Sequence, residues 1–278
     1  MIISIASGKG GTGKTTVATN LAAAIGTDVQ LVDCDVEEPN AHLFMKPVFQ
    51  HTETIFAAVP DIDPDLCTRC RKCTEICRFK AIAIAGQSIL TFPELCHSCG
   101  GCMAVCDEKA ITESGRKLGV LESGYFKAGE FVHGRLRVGE AMSPPLIRKV
   151  RSFANKDKIS IIDAPPGASC PVIAAIKDTD FVLMVTEPTP FGLHDLKLVA
   201  AAVKLLGIPC GLVINRSDVG NDDVKRYARA EKLPVLMEIP FDRGIAETYS
   251  RGQLVIEIMP EFKKKFLALR SQIDRLIG

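Results

Sequence analysis

Eight of the eleven cysteines fall in two short runs of matching spacing. The first run reads CTRCRKCTEIC at residues 67–77, and the second reads CHSCGGCMAVC at residues 96–106. Three cysteines that are each separated by two residues, followed by a fourth after three more, have the spacing of bacterial two-cluster ferredoxins. In that motif the fourth cysteine of each run binds the other cluster. The spacing therefore predicts two four-iron, four-sulfur clusters.

This crossed pattern divides the eight cysteines into two ligand sets. The set for cluster one is Cys67, Cys70, Cys73 and Cys106, and the set for cluster two is Cys96, Cys99, Cys102 and Cys77. Zinc is the alternative metal, but zinc sites usually separate their cysteine pairs by longer loops. Disulfides are not expected, because we place the chain in the cytoplasm, where thiols are kept reduced.

A second motif, SGKGGTGKTT at residues 7–16, can bind phosphate. It follows the apolar run IISIA, precedes a stretch of helix-forming residues, and matches the phosphate-loop pattern in full. Lys14 is expected to neutralise the β- and γ-phosphates, and the Thr15 hydroxyl is expected to bind Mg²⁺. The loop residues predicted to contact the nucleotide are Gly8, Gly10, Gly11, Thr12, Gly13, Lys14, Thr15 and Thr16.

Carboxylates follow two further apolar runs. Asp33 and Asp35 lie in LVDCDVEEPN, and Asp163 lies in IIDAPPG, which also contains Gly167. Strands of a parallel sheet place such residues at the carboxyl edge, where a phosphate loop also lies. One carboxylate should hold the Mg²⁺ shell and another should orient the attacking water. The backbone N–H of Gly167 should approach the γ-phosphate.

The elements that position these groups are predicted from continuous apolar runs, which favour strands covered on both faces. The six runs lie at residues 2–6, 29–35, 159–163, 181–186, 210–215 and 235–239. They predict an α/β fold with a doubly wound, mostly parallel sheet. The segment 130–139 is expected to form a hairpin.

The cysteine runs interrupt this strand and helix rhythm. We predict that residues 1–59 and 113–278 form a P-loop ATPase domain, into which residues 60–112 insert a small ferredoxin-like α+β domain. The polar runs PDIDPD at 60–65 and TESGRK at 112–117 have the composition of turns at the two junctions.

The bulk composition limits the partners. Hydrophobic residues make up 47% of the chain, which is enough for a buried core. The formal net charge is only +1, so we do not expect nucleic acid as a partner. The beginning of the chain shows no leader-like pattern and no run is long enough to span a membrane, so we expect a cytoplasmic protein. The apolar stripe of the C-terminal segment 261–278 is expected to pack on the sheet, which makes membrane contact unexpected.

Taken together, these motifs resemble the MinD/ParA/Mrp family of deviant Walker A ATPases. The resemblance includes VTEPTPFGLHDL at 185–196 and VINRSD at 213–218, and it covers nearly the whole chain. More specifically, the chain resembles MinD-superfamily ATPases that carry an inserted ferredoxin domain. It implies a dimer formed on ATP binding, with Lys9 of one subunit reaching the nucleotide of the other. The dimer would contain two copies of this chain or one copy and a paralogue.

The resemblance also implies individual roles. Asp35 would activate the water, while Thr15, Asp33 and Asp163 would form the magnesium environment; Lys9, Lys14, Asp35 and Asp163 would be the catalytic residues. The residues around the adenine would be Asn215, Arg216, Pro240, Phe241 and Asp242.

The function expected from these features is an ATP-hydrolysing switch. Its nucleotide-dependent dimer would gate electron transfer through the two clusters to a partner enzyme or to a metallocofactor under assembly. One alternative is an iron–sulfur scaffold or carrier, although the chain lacks the C-terminal C-x-x-C of the family's carrier branch. The other is a MinD-like spatial organiser.

Overall fold

The computed structural model describes residues 1–127 and 129–278. The strands are β1 (Ile2–Ala6), β2 (Val29–Asp33), β3 (Val48–Ile62), β4 (Ile82–Ala85), β5 (Ser88–Thr91), β6 (Ile111–Phe126), β7 (Gly129–Leu136), β8 (Ile159–Asp163), β9 (Phe181–Thr186), β10 (Cys210–Asn215) and β11 (Val235–Ile239). The α-helices are α1 (Lys14–Ile25), α2 (Ala41–Met45), α3 (Lys72–Ile76), α4 (Gly101–Ala104), α5 (Pro144–Arg151), α6 (Cys170–Ile176), α7 (Pro190–Leu205), α8 (Asp223–Ala230), α9 (Arg243–Ser250), α10 (Val255–Ile258) and α11 (Pro260–Ile277).

Nine strands form one sheet in the order β11-β10-β9-β1-β8-β2-β7-β6-β3. Neighbours are parallel from β11 to β7, whereas β6 is antiparallel to both β7 and β3. Apolar side chains pack on both faces of this sheet in two core clusters. The mostly parallel α/β fold is therefore confirmed, and all six apolar runs contain the strands that they predicted.

Two local predictions were wrong. The segment 130–139 is not a hairpin, because β7 is a single strand that pairs with β2 on one side and β6 on the other. The run at 112–117 is not a turn, because it lies within β6 and pairs with β3.

The β3–β6 pair extends beyond the rest of the sheet. Thr52 on β3 is level with Asp33 at the carboxyl end of β2, through the intervening pairs on β6 and β7. β7 stops pairing with β6 at Leu136, opposite Gly119, and beyond this level β3 and β6 continue as a two-stranded ribbon to Ile62 and Ile111. At about 3.4 Å per residue, the ten residues from Thr52 to Ile62 carry the tip of the ribbon roughly 34 Å along the strand past the level of Asp33.

The ribbon carries the cysteines at its tip. Residues 63–110 contain α3, α4, the β4–β5 hairpin and a short 3₁₀ turn at Pro93–Leu95, and we call them the cysteine module. The predicted domain limits at residues 60 and 112 fall inside β3 and β6, so the large sheet and the module share these two strands.

The C-terminal helix packs on the core. Phe262, Phe266, Leu269 and Ile273 of α11 are buried in the cluster that also contains residues of α1. Among the described residues, no helix is both long and apolar enough to cross a membrane.

Candidate functional site

The phosphate loop lies between β1 and α1, at the carboxyl edge of the sheet. Gly13 has φ of 94°, and a Cβ built there would lie 2.5 Å from Nδ2 of Asn215. That nitrogen donates a hydrogen bond of 2.8 Å to the carbonyl of Thr12. Gly8 leaves no room for a side chain either, because a Cβ would lie 2.2 Å from the backbone oxygen of Asp195. The glycines thus allow the loop to pack against β10 and α7.

Lys14 lies at the floor of the pocket among carboxylates. Its ammonium group donates to Asp163 at 3.0 Å and lies 3.5 Å from Asp35, and the side chain is almost fully buried. Burial alone would lower the pKa of Lys14, but the carboxylates of Asp163, Asp35 and Asp33 outweigh it and raise the pKa above its ordinary value. Lys14 is therefore held as a cation where a polyphosphate would bind.

Thr15 is oriented by the same carboxylate. Its hydroxyl donates a 2.6 Å hydrogen bond to Oδ2 of Asp163, which is itself completely buried at the end of β8. A hydroxyl and a carboxylate are oxygen ligands of the kind that Mg²⁺ prefers. The two residues are thus placed together as the predicted magnesium role would require.

Asp35 faces the pocket with an altered acidity. Burial raises its pKa to about 6, opposed by the nearby Lys14 and reinforced by Asp163. A carboxylate with a pKa in this range is well matched to accept a proton near neutral pH. The arrangement suits the role in water activation that the resemblance implies.

Asp33 has a different environment from the one predicted. It is fully buried, and its two oxygens accept backbone N–H groups of Asp35 at 3.0 Å and Ala41 at 3.1 Å. Burial and the neighbouring Asp163 raise its pKa well above the ordinary value. These contacts hold the loop that presents Asp35, so a magnesium role would require Asp33 to exchange them.

The pocket itself has a volume of about 400 Å³. Most of the predicted nucleotide residues line it: Lys9, Gly10, Gly11, Gly13, Lys14, Thr15, Thr16, Asp35, Asn215, Arg216, Pro240, Phe241 and Asp242. The others, Gly8, Thr12, Asp33, Asp163 and Gly167, do not line it. Of these, Thr12 bonds to Asn215, and the N–H of Gly167 donates to the carbonyl of Ser7 at 2.8 Å.

Sequence reasoning missed part of this wall. Helix α9 contributes Ile245, Ala246 and Tyr249, which follow the predicted IPFD segment. Their spacing places them on one face of a helix, and this periodicity was the available signal. Glu38 and Asn40, in the segment after Asp35, also line the pocket.

Lys9 is held by a residue that the sequence did not single out. Its ammonium group pairs with Glu187, which directly follows β9 and is 7% exposed. The other carboxylate oxygen of Glu187 accepts a 3.1 Å hydrogen bond from Arg216. One buried carboxylate therefore holds both Lys9 and a predicted adenine contact at the rim of the pocket.

The cysteine module brings together the two predicted ligand sets around separate cavities. Cavity one, about 60 Å³, is lined by Cys67, Cys70, Cys73 and Cys106. Cavity two, about 190 Å³, is lined by Cys77, Cys96, Cys99 and Cys102. Apolar side chains complete each lining, including Ile84 and Ile89 in the first and Ile76 and Phe79 in the second.

The backbones of the two runs repeat one another. Arg71 has φ and ψ of 67° and −4°, and its counterpart Gly100 has 71° and −4°. In each run the N–H two residues after the first cysteine points to that cysteine's sulfur, at 3.4 Å from Arg69 to Cys67 and from Ser98 to Cys96. Amide groups directed at sulfur are a recognised influence on iron–sulfur clusters.

Four cysteines line each cavity, which is the number of thiolates that would hold a four-iron, four-sulfur cluster. Among the residues that the structure describes, no group of three or more His, Cys, Asp or Glu side chains has the geometry for one metal ion. A four-iron cluster is larger than an ion, and its four thiolates surround a space instead of converging on a point.

Comparison with known proteins identifies the nucleotide-binding part. The family model described as "CobQ/CobB/MinD/ParA nucleotide binding domain" matches residues 3–255. The chain belongs to this family. The class of P-loop ATPases predicted from the phosphate loop is thereby confirmed.

Two relatives illustrate the range of this family. An uncharacterized protein of Methanocaldococcus jannaschii, MJ0578, is 33% identical over 100% of this chain and 98% of its own length. An iron–sulfur cluster carrier protein of Aquifex aeolicus is 24% identical over 99% of this chain and 68% of its own length.

A solved structure agrees on the fold. The septum site-determining protein MinD from Pyrococcus horikoshii, determined with Mg-ADP, covers 100% of this chain and 97% of its own with a TM-score of 0.62 and 22% identity. At this identity the likeness establishes that the two proteins share the family fold.

Proposed function

We propose that this chain is an ATP-hydrolysing switch that controls electron transfer through two four-iron, four-sulfur clusters in the cysteine module. The observation that carries the proposal is the division of the eight cysteines into the two crossed sets, each around its own cavity. Bound clusters would supply one-electron redox chemistry. Four cysteine thiolates of the module would hold each cluster.

The nucleotide pocket supports hydrolysis as the driving reaction. Lys14 would bind the phosphates, Thr15 and Asp163 would hold Mg²⁺, and Asp35 would take the proton of the attacking water. The carboxylates that now hold Lys14 keep it charged and in place before the nucleotide binds. This is the positioning that phosphoryl transfer depends on.

ATP-dependent dimerisation is part of the proposal. The carboxyl edge that contains the pocket also exposes large apolar side chains in the segments after β7, β9, β10 and β11. They are Val138, Phe191, Val219 and Phe241, which are 98%, 76%, 46% and 54% exposed. Exposed apolar groups on one edge favour association. A partner subunit on this edge would receive Lys9 once it left Glu187.

A chain of ring contacts supports coupling between the pocket and the module. The ring of Tyr249 in the pocket lies 4.8 Å from that of Phe44 on α2. His42 on the same helix lies 5.2 Å from His133 on β7, and His133 stacks on Phe49 of β3 at 5.1 Å. Because β3 continues into the ribbon, movement of α2 with nucleotide state would be transmitted towards the cysteines.

The proposal is tested by anaerobic purification and analysis of the whole chain. We expect about eight irons and eight sulfides per chain, and ATP hydrolysis that depends on Lys14. Cys70→Ser and Cys99→Ser should each remove one cluster, and both variants should still bind ATP. A colourless protein that contains stoichiometric zinc would contradict the proposal.

A cluster carrier is the second candidate, because one relative of this chain bears that name. Incubation of the loaded protein with ATP and an apo-ferredoxin separates the two functions. A carrier would lose iron to the apo-ferredoxin, whereas an electron-transfer protein would keep its iron through many turnovers.

A further inference from the structure

The two cysteine cavities differ in charge although their backbones match. Cavity one is lined by Arg69, Arg71 and Lys72. The corresponding positions of the second run are Ser98, Gly100 and Gly101, which line cavity two. Among the described residues, no lysine or arginine lines cavity two.

The fold does not require arginine at these positions. Arg69 and Arg71 have φ of 58° and 67°, in the left-handed region that favours glycine. Gly100 adopts the same conformation as Arg71 without a side chain. The backbone therefore does not require arginine at these positions, as Ser98 and Gly100 show at the corresponding places of the second run.

Among the Lys, Arg, Asp and Glu side chains that line cavity one, cations outnumber carboxylates by three to two. Asp107 and Glu108 also line cavity one, and Asp107 pairs with Lys72. Arg69 is held in place by a 3.0 Å hydrogen bond from its Nε to the carbonyl of Gln87. Because Asp107 pairs with Lys72, the charged groups left in the lining are the guanidinium groups of Arg69 and Arg71 and the carboxylate of Glu108.

The two cavities also differ in their position relative to the ribbon. Cavity two borders the ribbon through Ala58, Val59 and Pro60, whereas the lining of cavity one includes the ribbon only at Ile111. Cys70 and Cys99, the central cysteines of the two runs, are both exposed.

From these observations we propose that the face formed by Arg69, Arg71 and Lys72 docks an electron-transfer protein with an acidic surface. This inference rests on the proposed function, since it treats cavity one as a cluster site. Opposite charges around two redox centres would orient the complex and speed its formation, with little buried area.

The test measures binding of a strongly acidic two-cluster ferredoxin to the anaerobically purified protein by calorimetry, at low and at physiological ionic strength. A basic cytochrome c serves as the probe of opposite charge. We expect the ferredoxin to bind more tightly at low ionic strength and the cytochrome c to bind more weakly than the ferredoxin.

The decisive variant is Arg69→Ser combined with Arg71→Gly, which copies the second run. Its matched control is Lys80→Gly combined with Lys109→Gly, because these two exposed lysines also have left-handed φ and line neither cavity. The arginine variant should weaken ferredoxin binding roughly 3- to 10-fold, and the lysine variant by less than about twofold.

Three results would overturn the docking inference: an equal loss in the two double variants, no loss in either, or binding of the cytochrome c as tight as that of the ferredoxin. Iron analysis of the same samples separates this claim from the proposed function. Wild-type protein without iron contradicts the proposed function, whereas iron-loaded protein that shows one of the three results contradicts only the docking face.

Discussion

The nucleotide pocket and the cysteine module are built in different ways. Asp33 and Asp163 are fully buried at the ends of strands that are covered on both faces. The eight module cysteines are all exposed or half-buried. The module also exposes large apolar side chains, among them Leu66, Phe79, Phe92 and Leu95. The sheet positions the pocket before any ligand binds, whereas a unit this small would be expected to depend on the proposed clusters for its stability.

This difference predicts that a change which abolishes the function of one region leaves the other region folded and able to bind its ligand. Damage to the phosphate loop should stop hydrolysis and leave iron in place, and loss of iron should disturb the module and leave nucleotide binding intact.

Replacing Lys14 should give the largest effect. Lys14→Ala removes the buried cation at the phosphate site, and we expect ATP turnover to fall about 10²- to 10³-fold. Iron content should stay at the wild-type value. Lys204→Ala, which changes an exposed lysine on α7, is the control. Turnover within about twofold of wild type in Lys14→Ala would show that this pocket does not bind the phosphates.

Hydrolysis should also depend on pH through Asp35. Burial raises the pKa of this carboxyl to about 6, and only its ionised form accepts a proton. The kcat/KM for ATP, which reports on the free protein, should therefore be constant above the pKa and fall about tenfold per pH unit below it. Asp35→Asn should have low turnover without this dependence. A wild-type profile that is flat from pH 5 to 8 would remove Asp35 as the base.

A smaller effect is expected at Glu187, which we infer holds Lys9 in the resting chain. Glu187→Gln weakens its pairs with Lys9 and Arg216. The ATP concentration at half-maximal dimerisation should fall about threefold, which light scattering can measure. Glu231→Gln, which loses only an exposed pair with Lys204, is the matched control. A dimerisation midpoint that does not move would show that Glu187 does not restrain Lys9.

Removal of iron should have the smallest effect on the pocket. After chelation the Kd for ATP should change by less than about twofold, because the sheet alone positions the loop. Limited proteolysis should then cut within residues 63–110 first. Loss of ATP binding together with iron would mean that the two regions fold as one unit.

The sequence predicted the pocket better than its surroundings. The parallel strands and the phosphate loop are encoded locally, as apolar runs and a contiguous motif, so their positions were found directly. The ribbon was not predicted, because both faces of β3 and β6 are partly exposed beyond the sheet and their polar residues resemble turns. Glu187 was missed for another reason: Lys9 and Arg216 are distant in the chain, and only the fold brings them to one carboxylate.

The central claim is that nucleotide controls electron transfer through two clusters in one chain. Its most direct test is stopped-flow oxidation of the dithionite-reduced, iron-loaded protein by an acidic ferredoxin, with and without a non-hydrolysable ATP analogue. The account predicts a rate that changes at least about threefold with the analogue in wild type and does not change in Lys14→Ala. An identical rate with and without the analogue, in protein that binds ATP and contains about eight irons, would contradict it.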